Sequence, residues 1–381
     1  MNSQPKPVLL AIGGALAFAG ALGIGRFIYT PILPHMVEAA GLTTAQAGLI
    51  ASANYLGYLI GALAGALPNL PGSRRRWLLW SLLVSIATTA SVGLISSLAW
   101  FLILRFVGGV ASAFVMVLTS VLVLERLRSV GRPQLASLQF SGVGFGIAGS
   151  ALLVAALVGA GWSWEWHWLA GGLVAAIGAV GVFMLVPDRE VASGTTLTGE
   201  RRPGLRRLII AYGLFGFGYI ITATFIVAIV RESPAISPLE PVIWLVVGLS
   251  GAPSLLLWTW VGEKLGLVQA FALACLVEAI GVAASVLWIS VPGIILAAIF
   301  LGGTFMGITA VGLIAARDRS GADPRQVMAW MTAAFGVGQI VGPSLAGALH
   351  DYSGSFQGAS LLAASALVIA SLLGWSVARI R

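Results

Sequence analysis

The chain has 381 residues, of which 59% are hydrophobic and only 9% are charged, and its mean hydropathy is +0.99. Soluble domains carry about a quarter charged residues, so this composition excludes a soluble protein and indicates a chain that crosses a membrane many times. The formal net charge is +8. Most lysines and arginines lie between apolar segments or at the termini, without a basic helix, which argues against nucleic-acid binding and is typical of topology signals.

Apolar segments of spanning length recur along the whole chain. The first run resembles a secretory signal, but it continues for about 22 residues, which is long enough to span a bilayer. We therefore predict an all-α membrane protein with twelve transmembrane helices, near residues 8–31, 44–67, 77–96, 99–124, 133–158, 166–186, 208–230, 240–261, 267–290, 293–315, 326–349 and 357–378.

The longest polar stretch divides the predicted helices into two sets of six. We interpret residues 187–207 as a cytoplasmic linker between an N-terminal bundle, 1–186, and a C-terminal bundle, 208–381. The connecting segments on one side carry almost all the basic residues, whereas the opposite segments carry only Arg231. The positive-inside rule then places both termini in the cytoplasm, and the even number of helices agrees with that orientation.

An internal repeat relates the two halves. A shift of 194 residues aligns residues 69–72 with 263–266, Gly108 and Gly109 with Gly302 and Gly303, and residues 142–144 with 336–338. Two six-helix halves of the same hand imply a pseudo-two-fold axis along the membrane normal, with a substrate site near the midplane between them. The repeat also pairs residues 23–26 with residues 216–219 to within one residue, so we expect Arg26 and Tyr219 to face each other.

These features carry a family resemblance. The repeat, the glycine-rich loop that ends in Arg74-Arg75-Arg76, and the segment 105–109 resemble the major facilitator superfamily. Within it, the segments 23–31, 53–58 and 216–219 are similar to the bacterial YbfB/YjiJ-like branch. The resemblance covers the whole chain and implies a secondary transporter of the bacterial inner membrane that works by alternating access.

The chain also departs from the superfamily pattern. The loop after the second helix has Asn69 where an aspartate is usual, while the second copy has Glu263. We expect Asn69, Arg74 and Glu263 to form the cytoplasmic gate, with the usual charge relay in doubt in the first half. Gly142 and Gly146 lack the following proline of the antiporter signature, whereas Gly338, Gly342 and Pro343 carry it, so this motif does not identify an antiporter.

Signals of enzyme chemistry are missing from the sequence. It has no nucleophile elbow and no phosphate-binding loop, which excludes an ATP-driven pump for this chain alone, and the glycines of residues 142–149 follow no strand and are interpreted as helix-packing positions. The three histidines lie at predicted helix ends without metal-site spacing, and Cys275 is the single cysteine. We expect no enzyme activity, no cofactor and no metal. Four tryptophans, Trp162, Trp164, Trp166 and Trp168, are expected to be interfacial anchors rather than sugar-stacking residues.

A substrate site can be assembled from the polar residues within the predicted spans. Arg26 lies where the neighbouring residues indicate hydrocarbon, and an unpaired cation there is costly unless it faces a cavity, a counter-ion or a ligand. In the resembled architecture helices one, four, seven and ten line the cavity, flanked by two, five, eight and eleven. The candidate substrate-binding residues are Arg26, Tyr29, Thr30, Asn54, Tyr58, Arg105, Tyr219 and Gln339.

Each candidate has a structural alternative. Arg26 lies close to Pro31 and could extend to the outer headgroups. Asn54 and Gln339 could form interhelical hydrogen bonds that only hold the bundle together, and Tyr58 could be plain packing. Arg105 could be structural or part of a proton relay instead of a ligand contact.

Glu278 is the acidic residue deepest within a predicted span, about 11 residues or ~16 Å into the ninth helix. We expect it, with Arg105, to couple proton movement to transport by binding and releasing a proton during the cycle. In the resembled fold, however, the ninth helix belongs to the outer ring, so a permanently neutral acid hydrogen-bonded to helix seven or eight is the alternative.

The sequence thus favours a proton-coupled secondary transporter for a small anionic or amphiphilic organic solute. A drug or metabolite exporter of the same fold is the alternative within transport; a non-transporting membrane sensor and a channel are the others. The expected partners are the substrate, membrane lipid and the proton, with no nucleic acid, and the chain is expected to be a monomer.

Overall fold

The computed structural model describes residues 6–67, 70–188, 202–321 and 323–380. Within these ranges the secondary structure is helical and contains no strand, as predicted. Most of the predicted linker and the predicted gate residue Asn69 lie outside the described residues.

The helices form two sets of six, numbered α1 to α12 in chain order. The first set has the bounds Pro7–Ala40, Thr44–Gly65, Arg74–Val92, Leu98–Ser129, Pro133–Gly159 and Trp164–Leu185. In the second set α7 is Leu205–Glu232, and α8 consists of Ser237–Gly251 and Ser254–Leu265 with a 42° bend between them. The remaining helices, α9 to α12, are Leu267–Leu287, Val291–Arg317, Pro324–Ser353 and Gln357–Ala378.

The number of membrane spans is less definite than the number of helices. Ten of the described helices are long and apolar enough to cross a membrane, and α8 makes eleven if its two bent pieces form one span. Helix α3 is not apolar enough to meet this criterion, because it begins with three arginines and contains a row of buried hydroxyl side chains, Ser81, Ser85, Thr88 and Thr89. The prediction of twelve spans therefore stays a prediction.

Helix α1 is interrupted where the sequence places Arg26. A π-helical turn at Ala19–Ile24 follows Pro7–Phe18, residues 25–28 form turns, and the helix resumes at Tyr29–Ala40. Pro31 has no N–H to donate to the preceding turn, so the regular hydrogen-bond ladder is broken at this point. The interruption separates α1 into two helical pieces with Arg26 between them.

Helix packing repeats between the two halves through glycines. A Cβ at Gly109 of α4 would lie 2.0 Å from the main-chain oxygen of Asn54 in α2, and a Cβ at Gly302 of α10 would lie 2.1 Å from that of Val247 in α8. Both pairs require glycine because the two helix backbones touch. The two contacts are related by a shift of 193 residues, which agrees with the 194-residue repeat to within one residue.

The two halves meet along α2 with α11, α5 with α8, and α1 with α7. We call the side that carries Lys6 and residues 202–204 the terminal side, and the opposite side the far side. On the far side, the Asp351 carboxylate of α11 accepts hydrogen bonds from the Thr44 and Ala45 N–H groups at the start of α2, each at 3.0 Å. Deeper in the same contact, the Ser52 hydroxyl donates to the Ile340 carbonyl at 2.6 Å. The far-side ends of the two halves are therefore joined.

Candidate functional site

Arg26 is buried between the two halves, with 4% of its surface exposed. Its guanidinium carbon lies 4.1 Å from the centre of the Tyr58 ring and 4.7 Å from that of Tyr55, both on α2. Its Nε and Nη2 atoms have no hydrogen-bond partner among the described residues, and no described carboxylate forms an ion pair with it. The aromatic faces stabilise the cation only in part, by about 0.5–2 kcal/mol each. The side chain is thus a buried cation with free donors, not an arginine extended to the headgroups.

The second half faces this cation with an aromatic stack. The Tyr219 ring of α7 lies parallel to Phe305 of α10 and Phe335 of α11, with 8° between planes and centroids 6.1 and 5.8 Å apart. On the other side, Phe27 of α1 lies edge-on to Phe305 at 6.2 Å. The predicted approach of α1 and α7 is thus made through aromatic rings, and Arg26 is close enough to Tyr219 to act on it electrostatically.

Gln339 completes this group from α11. Its amide nitrogen donates a hydrogen bond to the Tyr219 hydroxyl, and its Oε1 has no partner among the described residues. A guanidinium with free N–H groups therefore lies in the same interface as a free amide oxygen and an aromatic wall. Such a set can bind an anionic group, a hydrogen-bond donor and an apolar body together.

Arg105 performs a different task from Arg26. Its Nη1 donates to the carbonyl of Gly25 and its Nη2 to the carbonyl of Arg26, both at 2.9 Å. These carbonyls belong to the interrupted segment of α1, where helical partners are missing, so Arg105 of α4 satisfies the interruption. The side chain is 3% exposed and also lies over the rings of Tyr29 and Trp168, at 5.1 and 5.5 Å. Arg105 is therefore placed to hold Arg26 in position.

Asn54 and Tyr29 belong to the surroundings of Arg105. The Asn54 amide nitrogen donates to the Arg105 carbonyl at 2.8 Å, while its Oδ1 has no partner among the described residues. The Tyr29 hydroxyl donates to the Ala47 carbonyl at 2.8 Å. Thr30 instead joins the two halves, because its hydroxyl donates to the Ala223 carbonyl of α7 at 2.8 Å. Asn54, Tyr29 and Thr30 thus make hydrogen bonds between helices. For Asn54, such a bond was the structural alternative to ligand binding.

The predicted substrate residues therefore separate into two groups. The central group contains Arg26, Tyr58, Tyr219 and Gln339 and lies between the halves. The supporting group lies behind it and contains Tyr29, Thr30, Asn54 and Arg105. Within the central group, the Tyr58 hydroxyl donates to the Met116 sulfur. The Tyr58 ring face lies against Arg26, and its hydroxyl is close enough to interact with Arg26 as well.

Glu278 of α9 lies in the C-terminal half, close enough to Tyr219 of the central group to act on it electrostatically. It is fully buried, and neither carboxyl oxygen has a hydrogen-bond partner among the described residues. Thr304 of α10 is a polar side chain close enough to interact with Glu278, and its hydroxyl donates to the Phe300 carbonyl at 2.5 Å. The alternative expectation of a hydrogen bond to helix seven or eight is not met within the described residues, since its polar neighbour is on α10.

Two of the predicted gate residues, Arg74 and Glu263, lie on the terminal side. Arg74 begins α3, and Glu263 is exposed in the last turn of α8. In the neighbouring loop the Ser73 hydroxyl donates to the Asp188 carboxylate at 2.6 Å, within the N-terminal half. The gate stays a prediction.

The sequence interpretation missed Phe305 and Phe335 of the aromatic stack, and also Tyr55 and Trp168. Tyr55 lies three residues before Tyr58, which places both rings on one face of α2, and this spacing is a signal that was present in the sequence. Trp168 was expected at the membrane boundary, but it is fully buried beside Arg105, and Trp164 is 7% exposed. The anchor interpretation was wrong for these two, because residues four apart share one helix face, here the inner one; Trp162 and Trp166 are exposed.

Comparisons with known proteins identify the family and the fold of this chain. Residues 18–374 match the family described as "Uncharacterised MFS-type transporter YbfB". No curated protein matches the chain significantly. Among solved structures, a point mutant of the nucleoside transporter NupG superimposes with a TM-score of 0.75 at 13% identity, over 97% of this chain and 99% of that one.

Two further solved structures have similar scores. A D-xylose–proton symporter has a TM-score of 0.75 at 15% identity, over 97% of this chain and 96% of the symporter. A bacterial homologue of the human lysosomal transporter Spinster, in an inward-facing and occupied conformation, has a TM-score of 0.71 at 15% identity, over 99% and 98% of the two chains. At these identities the likeness establishes the fold, which is that of membrane transporters.

Proposed function

Because this chain belongs to the YbfB-like family of the major facilitator superfamily, we propose that it is a secondary active transporter that moves a small amphiphilic carboxylate across the bacterial inner membrane. The proposed mechanism is alternating access driven by a proton gradient, with both termini in the cytoplasm. The one observation that carries the choice of substrate class is Arg26, a buried cation between the halves with two nitrogen atoms that have no partner among the described residues.

The proposed charge of the substrate follows from the free-energy cost of a buried guanidinium at Arg26 that has no counter-ion among the described residues. A charged side chain inside a bilayer costs at least about 2.5–3.5 kcal/mol unless it is paired or hydrated. A carboxylate would accept two parallel hydrogen bonds from the planar guanidinium and remove most of this cost. A neutral solute could accept hydrogen bonds but would leave the charge uncompensated, so an anion is favoured.

The apolar body of the substrate follows from the aromatic stack. Tyr219, Phe305 and Phe335 form a group of parallel rings in the C-terminal half, and Arg26 is close enough to Tyr219 to act on it electrostatically. Flat ring faces pack well against planar or aliphatic groups, and such contacts contribute about 0.5–1.5 kcal/mol beyond the area they bury. We therefore propose a carboxylate that carries an unsaturated, aromatic or branched apolar group.

Glu278 is the proposed proton-coupling group, with Arg105 as a positioning residue instead of a carrier. A fully buried carboxyl without a hydrogen-bond partner among the described residues is strongly disfavoured as an anion unless water reaches it. One structural neighbour is itself a proton symporter, which is consistent with this proposal.

Ligand binding tests the substrate class before any transport assay. Purified protein would be melted with small carboxylates, each paired with its amide of the same shape, such as benzoate with benzamide and cinnamate with cinnamamide. Because a ligand at 100 times its Kd stabilises the native state by about 2.7 kcal/mol, a carboxylate that binds should raise the melting temperature while its amide does not. Equal shifts of the melting temperature by acid and amide, or a shift by the amide alone, would contradict the proposal of an anionic substrate.

The substitution Arg26→Lys tests whether Arg26 binds the carboxylate. Lysine keeps the charge but loses the paired donors, so we expect the affinity for the carboxylate to fall about 10- to 100-fold, equivalent to one charged hydrogen bond. The matched control is Arg75→Lys, because Arg75 lies at the terminal side, where it donates to the Phe183 and Val186 carbonyls. Undiminished binding by Arg26→Lys would remove Arg26 from the site. In proteoliposomes, the parent should accumulate the carboxylate against its gradient only when a proton gradient is imposed.

A further inference from the structure

The far side contains a cluster of charged and titratable side chains that joins four helices. His35 and Glu38 come from α1, His167 from α6, Arg231 from α7 and Glu240 from α8. Arg231 Nη1 lies 3.1 Å from His35 Nδ1 and 3.3 Å from a Glu240 oxygen, and its Nη2 pairs with the Glu38 carboxylate. The cluster therefore links the N-terminal half to the C-terminal half.

The partners of His35 determine its protonation state in this arrangement. A guanidinium can only donate hydrogen bonds, so His35 Nδ1 must accept from Arg231 and carries no proton. His35 Nε2 then carries the ring proton and points to the Glu240 carboxylate at 3.4 Å. The imidazole is thus neutral and is held between a cation of the C-terminal half and a carboxylate of the same half.

A second proton on His35 would oppose this arrangement. The new N–H at Nδ1 would point at the Arg231 N–H groups across 3.1 Å, donor against donor and cation against cation. His167, whose ring centre lies 5.8 Å away, offers no negative charge. Glu240 already lies 3.4 Å from Nε2, but Glu240 and Glu38 are both paired with Arg231, so neither can neutralise a proton at Nδ1 until Arg231 releases it. Protonation is therefore disfavoured while the halves are joined and becomes favourable when α7 moves away from α1.

Water can reach this cluster from a cavity between the halves. The cavity has a volume of about 120 Å³ and is lined by His35, Pro31, Val227, Arg231, Glu240 and Trp244, among others. That is enough space for several water molecules, and the three polar side chains provide their hydrogen bonds. A proton therefore has a hydrated route to the ring nitrogen.

We propose that His35 is a proton-binding site that controls the far-side opening: binding a proton at Nδ1 breaks the His35–Arg231 contact and separates the two halves there. The inference rests on the proposed alternating-access function and is independent of Glu278. By linkage, a single proton bound more tightly in the open form changes the open-to-closed ratio by at most tenfold per pH unit. Protonation of a histidine falls in the pH range of 5 to 8, above that of ordinary carboxyls.

The test measures the distance between the halves without any substrate. Spin labels would be attached to cysteines replacing Ala160, in the loop before α6, and Ala235, in the loop before α8, both exposed, in a Cys275→Ala background. Double electron–electron resonance at pH 8.0 and 5.5 should show a longer-distance population that grows by tenfold or more at low pH. A second pair within the N-terminal half, at Ala160 and Leu94, should show no change.

Three substitutions identify the residue responsible. His35→Asn, which is neutral at both pH values, should abolish the response, and His167→Asn should preserve it. Arg231→Gln should give the long distance already at pH 8.0, because the cation that holds the contact is gone, and this variant serves if His35→Asn does not fold. A parent whose distances are equal at both pH values, or a His35→Asn protein that still responds, would overturn the inference. A protein that opens with acid but accumulates no solute would refute the proposed function and leave the inference standing.

Discussion

Arg105 is predicted to stabilise the interrupted part of α1, and the substitution Arg105→Lys measures this directly. In the structure the two terminal nitrogens of Arg105 each donate to a separate carbonyl, of Gly25 and of Arg26, at 2.9 Å. A lysine ammonium is a single point donor on a shorter reach, so it can satisfy one of these carbonyls but not both in the same geometry. One main-chain carbonyl is then left buried without a partner.

The expected loss can be estimated from these contacts. Removing one hydrogen bond from a charged donor costs about 1.5–3 kcal/mol. This range includes only part of the penalty for leaving a buried carbonyl without a partner. Because the site is 3% exposed, water does not replace the missing donor. We expect Arg105→Lys to lower the free energy of unfolding by about 3 kcal/mol, and to weaken carboxylate binding because Arg26 is no longer held in place.

Reversible unfolding in mixed detergent micelles measures the loss, with Arg75→Lys as the matched control. Arg75 also donates to two carbonyls, of Val186 and Phe183, but it is only half-buried, and water can take over at the exposed bond to Phe183. Its substitution should cost no more than about 1 kcal/mol. Equal losses for the two variants would refute the reasoning, since burial is the property that distinguishes them.

Two further predictions concern packing and proton coupling. Gly109→Ala should destabilise the protein by about 1–3 kcal/mol or prevent its folding, because the new Cβ would lie 2.0 Å from the Asn54 carbonyl, whereas Gly149→Ala, with no atom within 4 Å, should be neutral or stabilising by up to ~1 kcal/mol in the same unfolding assay. Glu278→Gln should abolish proton-driven accumulation in proteoliposomes while substrate exchange persists, because glutamine cannot ionise; accumulation with the parent's pH dependence would show that Glu278 is structural.

Much of the architecture could be predicted from the sequence because a bilayer leaves few choices. Apolar segments of about 20 residues indicate spanning helices, and repeated glycines at Gly109 and Gly302 mark the same helix contact in both halves. The exception is α3, whose arginines and buried hydroxyl groups reduce its hydropathy although it packs as a full helix. Hydropathy describes average surroundings and does not register hydroxyls that bond within their own helix, as Thr88 and Thr89 do.

The candidate site was predictable as a set of residues but not as an arrangement. The sequence indicates that Arg26 and Arg105 are both buried cations, yet it cannot show that one donates to main-chain carbonyls while the other keeps free donors. That distinction depends on how α4 packs against the interrupted part of α1, and this tertiary contact cannot be read from the sequence of either helix. Trp168 was misplaced for a related reason, since a boundary tryptophan and a buried one have the same sequence neighbours.

The interruption of α1 also has a consequence for how transporters of this kind can change their specificity. Arg105 contacts the main chain at positions 25 and 26 and not the side chain of residue 26. The main-chain contacts of Arg105 therefore do not depend on which side chain position 26 presents, and a single codon change can replace the proposed ligand-binding group without rebuilding the fold. We expect homologues that retain an arginine equivalent to Arg105 to vary at the position of Arg26, and this variation to follow the charge of the solutes they carry.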